Sequence, residues 1–131
     1  AGGRRPVSRR ILVLDDDPNV LTLLRTYFGG LGWHVETHVD AAAGLSLADS
    51  DAHFDAVICD LHFTPAHGGE GYEIVDRARR RRPGSAVVLF TGAAGPGVRE
   101  EALRRGADEV VAKPSPLARL RDAVLGKAKT R

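Results

Sequence analysis

Ile11-Leu12-Val13-Leu14-Asp15-Asp16-Asp17-Pro18 decides how this chain is read. Four uninterrupted apolar residues fit a strand buried on both faces, and such strands belong to parallel sheets sandwiched by helices. Asp17-Pro18 then starts a helix, with the acid at the N-cap and proline at the first helical position. Val20, Leu23, Leu24, Tyr27 and Phe28 follow at helical spacing with their apolar side inward, and Gly29-Gly30 ends the element. A strand that runs out into acids and turns into a helix puts those acids on one edge of the sheet.

The same grammar repeats along the chain. Trp33–Thr37 alternates as a second strand, and Asp40 caps a second helix through Ala48. Ala56–Cys59 is a buried strand that ends in Asp60, and Leu61–Gly71 is a polar, glycine-rich loop. Tyr72–Arg82 is a third helix stopped by Pro83-Gly84. Ala86–Phe90 is a fourth strand ending in Thr91. Pro96–Arg105 is a fourth helix with Leu103 inward, closed by Gly106. Val110–Ala112 is a fifth strand ending in Lys113-Pro114. Ser115-Pro116 caps and opens a last helix carrying Leu117, Leu120, Val124 and Leu125 on one face. Five strands alternating with five helices predict a doubly wound α/β fold with right-handed crossovers. The carboxyl ends of its strands would share one edge, where ligands bind.

Composition agrees with a single domain. A chain of 131 residues can bury roughly 65–70% of its unfolded surface. An apolar content of 43% with 27% charged residues is ordinary for a globular protein. No run approaches the roughly 18 apolar residues that span a bilayer, so no membrane role is expected. One cysteine excludes an internal disulfide framework and suits a reducing cytoplasm. A net charge of +2 argues for no direct nucleic-acid binding, and Arg77 with Arg79–Arg82 reads as a solvated helix face. Residues 1–9 read as a flexible basic lead-in or an expression remnant, 10–127 as the domain, and 128–131 as a basic tail.

Asp15 lies 45 residues before Asp60, Asp60 lies 31 before Thr91, and Thr91 lies 22 before Lys113. In this order and spacing, from Arg10 to about Lys127, the chain resembles the receiver domain of bacterial two-component response regulators. The resemblance implies a flavodoxin-like five-stranded parallel sheet in the order 2-1-3-4-5. It implies Asp60 as phosphoacceptor, with Mg²⁺ held by Asp15, Asp16, Asp60 and the backbone carbonyl of His62. Thr91 would hydrogen-bond the phosphoryl group, Lys113 would pair with it, Gly92 would keep access open, and a cis peptide bond would precede Pro114. The donor would be a sensor histidine kinase or a phosphotransfer protein. Output would leave by the face of the fourth helix, fifth strand and fifth helix, toward a partner, an output domain or a phosphorylation-dependent homodimer. The module would signal and not turn over a substrate.

The residue types suit that chemistry. A carboxylate is ionised at neutral pH and can attack phosphorus without a general base. Several carboxylates at close range repel one another, and a hard cation relieves this. Phosphoryl transfer depends mainly on positioning and charge neutralisation, which a metal, a lysine and a hydroxyl provide. Asp17 taken alone is a helix cap, Cys59 a small buried hydrophobe, and His62 and His67 free loop histidines.

Three features depart from the family pattern. Pro65 stands five residues after Asp60 where four is usual, and Thr64–Gly69 reads as an extended loop. Val110 occupies the position three before the lysine where receivers commonly carry an aromatic ring. His62 lies two after the acceptor, flanking the path of a hydrolytic water. Two other functions compete: a haloacid-dehalogenase-like phosphatase using Asp15 and Asp17, and an unphosphorylated receiver-like interaction module.

Overall fold

The computed structural model describes residues 9–63 and 69–130, with side chains as far as Gly126. The expected lead-in at residues 1–8, Pro65, His67 and Arg131 lie outside the described residues. The chain alternates β1 (Arg10–Leu14), α1 (Pro18–Gly30), β2 (His34–His38), α2 (Ala41–Ala48), β3 (Ala56–Cys59), α3 (Glu70–Arg81), β4 (Ala86–Thr91), α4 (Pro96–Arg105), β5 (Glu109–Ala112) and α5 (Leu117–Thr130). The strands form one parallel sheet in the order β2-β1-β3-β4-β5. The fold is the expected flavodoxin-like one.

Strand alternation divides the core into two layers. Leu12, Leu14, Val57, Cys59, Val87, Leu89 and Val110 pack with Ile74, Val75, Ala78 and Ala102 of α3 and α4. Ile11, Val13, Ile58, Val88, Phe90 and Val111 pack with Leu21, Leu24 and Phe28 of α1 and Leu120 and Val124 of α5. Both faces of the three central strands are therefore buried, which is why their runs show no polar alternation.

The caps follow the local chemistry. Asp17 accepts from the Asn19 N–H at 2.9 Å and Asp40 from the Ala42 N–H at 3.2 Å, which satisfies amides the helices leave open. Helix α1 runs on through Gly29-Gly30. It ends there as expected, with Leu31 at the C-cap, and Gly32, at a φ of 94°, turns the chain so that the Trp33 amide donates back to the Phe28 carbonyl at 3.0 Å. Helix α3 starts at Glu70, two residues earlier than expected, so the loop is correspondingly shorter. At the start of α5, the Ser115 hydroxyl donates to the Ala112 carbonyl at 2.5 Å, and the helix is assigned from Leu117. Helix α5 continues through residues 128–130, where a tail is expected from the sequence.

Three packing expectations are corrected. Leu23 and Leu103 are 52% and 43% exposed, while their neighbours Leu24 and Ala102 are fully buried. Consecutive helical residues differ by about 100° in direction, so only one of each pair can meet the sheet. The arginine run is no plain solvated face. Arg79 donates to the carbonyls of Gly106, Pro83 and Ser85 and pairs with Asp108 at 2.6 Å, tying α3 to the turn before β4 and the turn before β5. Arg82 donates to the carbonyls of Leu47, Ala48, Ser50 and Ala52, closing the end of α2. Burial, then the neighbouring Arg81, pulls its pKa below the usual arginine value.

Candidate functional site

The carboxyl ends of β1, β3, β4 and β5 bring Asp15, Asp60, Thr91 and Lys113 to one sheet edge. Asp15 continues β1, where its amide donates to the His38 carbonyl at 3.2 Å and its Oδ1 accepts from the Asp17 N–H at 2.9 Å. Asp60 continues β3, where its amide donates to the Leu14 carbonyl at 2.9 Å. Its Oδ1 accepts from the Leu61 N–H at 2.7 Å. Asp16 is exposed beside them. Ligand oxygens of Asp15, Asp16 and Asp60 all lie within 4.8 Å of one another. An all-oxygen, carboxylate-rich set of this kind suits a hard divalent cation.

Lys113 spans the cluster. Its Nζ donates to Asp15 Oδ2 at 2.6 Å and to Asp60 Oδ2 at 3.0 Å, and lies 5.3 Å from the centre of the Phe90 ring. Burial alone would lower the pKa of Lys113, but its bonds to Asp15 and Asp60 outweigh that and raise it above 10.5. Asp15 is 2% exposed, and burial raises its pKa above 3.8 despite the ammonium beside it. The site thus holds a buried carboxyl pushed toward its neutral form next to an ammonium held charged. Burial, with Asp60 and Asp15 nearby, pushes the Cys59 thiol well above its usual 9.0, so it stays neutral.

Thr91 is 1% exposed, and its hydroxyl oxygen accepts from the Ala93 N–H at 3.2 Å. Its carbonyl accepts from the Lys113 amide at 3.0 Å, and the Lys113–Pro114 peptide is cis. Space beside Gly92 is open. Val110 is buried, and Arg99 of α4 donates to its carbonyl at 3.2 Å. His62 is not a free loop histidine: its Nδ1 accepts from the Gly69 N–H at 3.1 Å, closing the described ends of the loop onto each other. Asp17 is occupied as the α1 cap, so the phosphatase-type pairing of Asp15 with Asp17 loses its second carboxylate. The part of Phe90 beneath the Lys113 ammonium was not legible in the sequence, where Phe90 is one more apolar strand residue.

Residues 11–125 match the response regulator receiver domain family. The chain belongs to that family. A receiver relative, the photosynthetic apparatus regulatory protein RegA of Rhodobacter capsulatus, is 31% identical over 119 residues, covering 91% of this chain and 62% of that protein. This receiver therefore spans less than two thirds of that relative's length. A CheY-like response regulator receiver domain protein from Methanospirillum hungatei JF-1 superposes with a TM-score of 0.81 at 25% identity, over 95% of this chain and 100% of that one. The BeF3-activated DrrB receiver domain gives a TM-score of 0.80 at 27% identity, over 94% and 99%. Receiver domains take phosphoryl groups from histidine kinases and bind a divalent metal at the acidic pocket. This receiver is a signalling domain of two-component systems, and no helix among its described residues is long and apolar enough to cross a membrane.

Proposed function

We propose that Asp60 is the phosphoacceptor of this receiver and that the domain works in the cytoplasm as a switch rather than an enzyme. The observation that carries this is the Lys113 bridge from Asp15 to Asp60 within a three-carboxylate cluster at the strand ends. Mg²⁺ would be held by Asp15, Asp16, Asp60 and the His62 backbone carbonyl, where it would neutralise phosphoryl charge. A carboxylate oxygen of Asp60 attacks phosphorus as the phosphorus–nitrogen bond of the donor phosphohistidine breaks, leaving an acyl phosphate and a free imidazole. The donor is a sensor histidine kinase or a phosphotransfer protein. Lys113 keeps one end of the new phosphoryl group neutralised, and the Thr91 hydroxyl donates its proton to a phosphoryl oxygen.

The output face is α4, β5 and α5, read by a partner, a following domain or a second phosphorylated copy. Treatment with acetyl phosphate and Mg²⁺, followed by mapping of the modified residue, tests the assignment. Modification is expected on Asp60 alone and is lost in Asp60→Ala. Modification that persists in Asp60→Ala overturns it, and a parent that takes no phosphoryl group favours an unphosphorylated interaction module.

A further inference from the structure

We infer that Gly71 is a positioning residue for the Asp60 carboxylate: its bare Cα lets the first turn of α3 sit directly on the Asp60–Leu61 peptide. This deepens the reading of Asp60 as the phosphoacceptor and rests on it. A Cβ at Gly71 would lie 2.2 Å from the Asp60 carbonyl oxygen and 2.6 Å from the Leu61 Cα. Both are backbone atoms, which no rotamer change can move aside. Gly71 lacks the positive φ that marks Gly32, Gly69 and Gly106, so the demand here is for space and not for a special conformation.

The contact is reinforced on both sides. The Gly71 amide donates to the Leu61 carbonyl at 2.9 Å, and the buried Cys59 thiol donates to the Gly71 carbonyl at 3.8 Å. The same Asp60–Leu61 peptide supplies the N–H that holds Asp60 Oδ1 at 2.7 Å. Oδ2 is held separately by Lys113 at 3.0 Å. One of the two oxygens of the acceptor is therefore aimed by a peptide whose position the seat of α3 sets. Displacements of about an ångström in a reacting group are enough to cost large factors in rate.

Gly44 provides the control. A Cβ there would meet Leu14 Cδ1 at 3.0 Å and Ile74 Cδ1 at 3.3 Å, the far ends of flexible side chains in the same core layer. Gly44→Ala strains packing without touching the acceptor peptide. With the full chain at saturating Mg²⁺, the initial rate of Asp60 modification by acetyl phosphate is compared per folded molecule. Gly71→Ala is expected to be slower by tenfold or more and to bind beryllofluoride correspondingly less tightly. Gly44→Ala is expected to stay within twofold of the parent whatever it loses in thermal stability. A Gly71→Ala rate within twofold of the parent, or equal slowing in both variants, overturns the inference. If Gly71→Ala does not fold, amide exchange in the parent decides. Protection of the Leu61 and Gly71 amides should rise together on adding beryllofluoride; a freely exchanging Gly71 amide overturns the inference. Loss of the functional reading itself would be seen separately, as a parent that is not modified on Asp60.

Discussion

Asp15 is almost fully buried, bonded to Lys113, and still carries a pKa raised above 3.8. A raised carboxyl pKa contributes stability below the unfolded value and loses it as pH climbs through the folded value. Above that window the metal-free domain keeps a charged Asp15 at a cost. Asp15→Asn should therefore raise the urea midpoint of the metal-free protein at pH 7, and the gain should vanish as pH falls toward 3.8. An equal gain at both ends of that range would contradict the burial account. Lys113 has the opposite consequence, since its raised pKa adds stability that persists to about 10.5 and is lost only above that. Asp16 is exposed and has no part in this conflict. Asp16→Asn should weaken Mg²⁺ binding by about tenfold without changing metal-free stability, because a metal site of this type needs every hard carboxylate it has. Calorimetric titration with Mg²⁺ checks it, and undiminished affinity would put the metal elsewhere. His62 sits two residues from the acceptor with Nδ1 committed to the Gly69 amide. His62→Ala should release that loop and change the acyl-phosphate lifetime while leaving its formation intact. Unchanged decay would remove His62 from control of the hydrolytic water.

Within α3, neighbouring arginines have different jobs. Arg77 makes an i,i+4 pair with Glu73 at 3.1 Å on a partly exposed face. Arg79, one turn face away, satisfies three backbone carbonyls and Asp108 at once. Its stem also lies against Gly106, where a Cβ would come within 2.6 Å of Arg79 Cγ. Removing Arg79 takes the donor from three backbone carbonyls, two of them in part-buried bonds, and breaks the pair with Asp108, so Arg79→Ala should cost about 1–3 kcal/mol. Arg77→Ala should stay within about 0.5 kcal/mol. Urea denaturation of the two variants distinguishes them, and equal losses would return the whole run to the solvent. A charge pattern on a helix cannot separate these roles, because both arginines lie in the same polar string. The distinction arises only when the α3–β4 and α4–β5 turns fold back toward the helix.

The sheet as a whole leaves α4 the least anchored of the helices that flank the site. It fully buries only Ala102, with Val98 partly buried against the core, and its polar ties include Arg99 to the Val110 carbonyl at 3.2 Å and the Arg105 guanidinium 5.4 Å from the Tyr72 ring centre. Few buried apolar contacts mean low local stability, and such segments move first when a site is perturbed. Val110 has no ring to swing, so the response to phosphorylation should be concentrated in backbone between Thr91 and Arg105. Phosphorylation needs to shift the balance of states by only a few kcal/mol to be felt at the output face. Amide exchange with and without beryllofluoride should change most across residues 91–105. A change confined to residues 60–71 would refute this route.

The alternation of apolar runs with acids, a hydroxyl and a lysine already contained five parallel strands alternating with five helices and the convergence of Asp15, Asp60, Thr91 and Lys113 on one sheet edge, while the strand order came only with the resemblance to receiver domains. The alternation was readable because strand burial on both faces and helix capping are local rules, written in consecutive residues. Leu23 against Leu24, and Leu103 against Ala102, could not be separated in the same way. Each pair is apolar at adjoining positions, and the choice depends on how the helix is rotated against the sheet. The carbonyl-capping roles of Arg79 and Arg82, the Phe90 ring under Lys113 and the bare seat of Gly71 on Asp60 likewise join residues far apart or across a loop. Those contacts are set by the distances between packed elements, which no local spacing encodes.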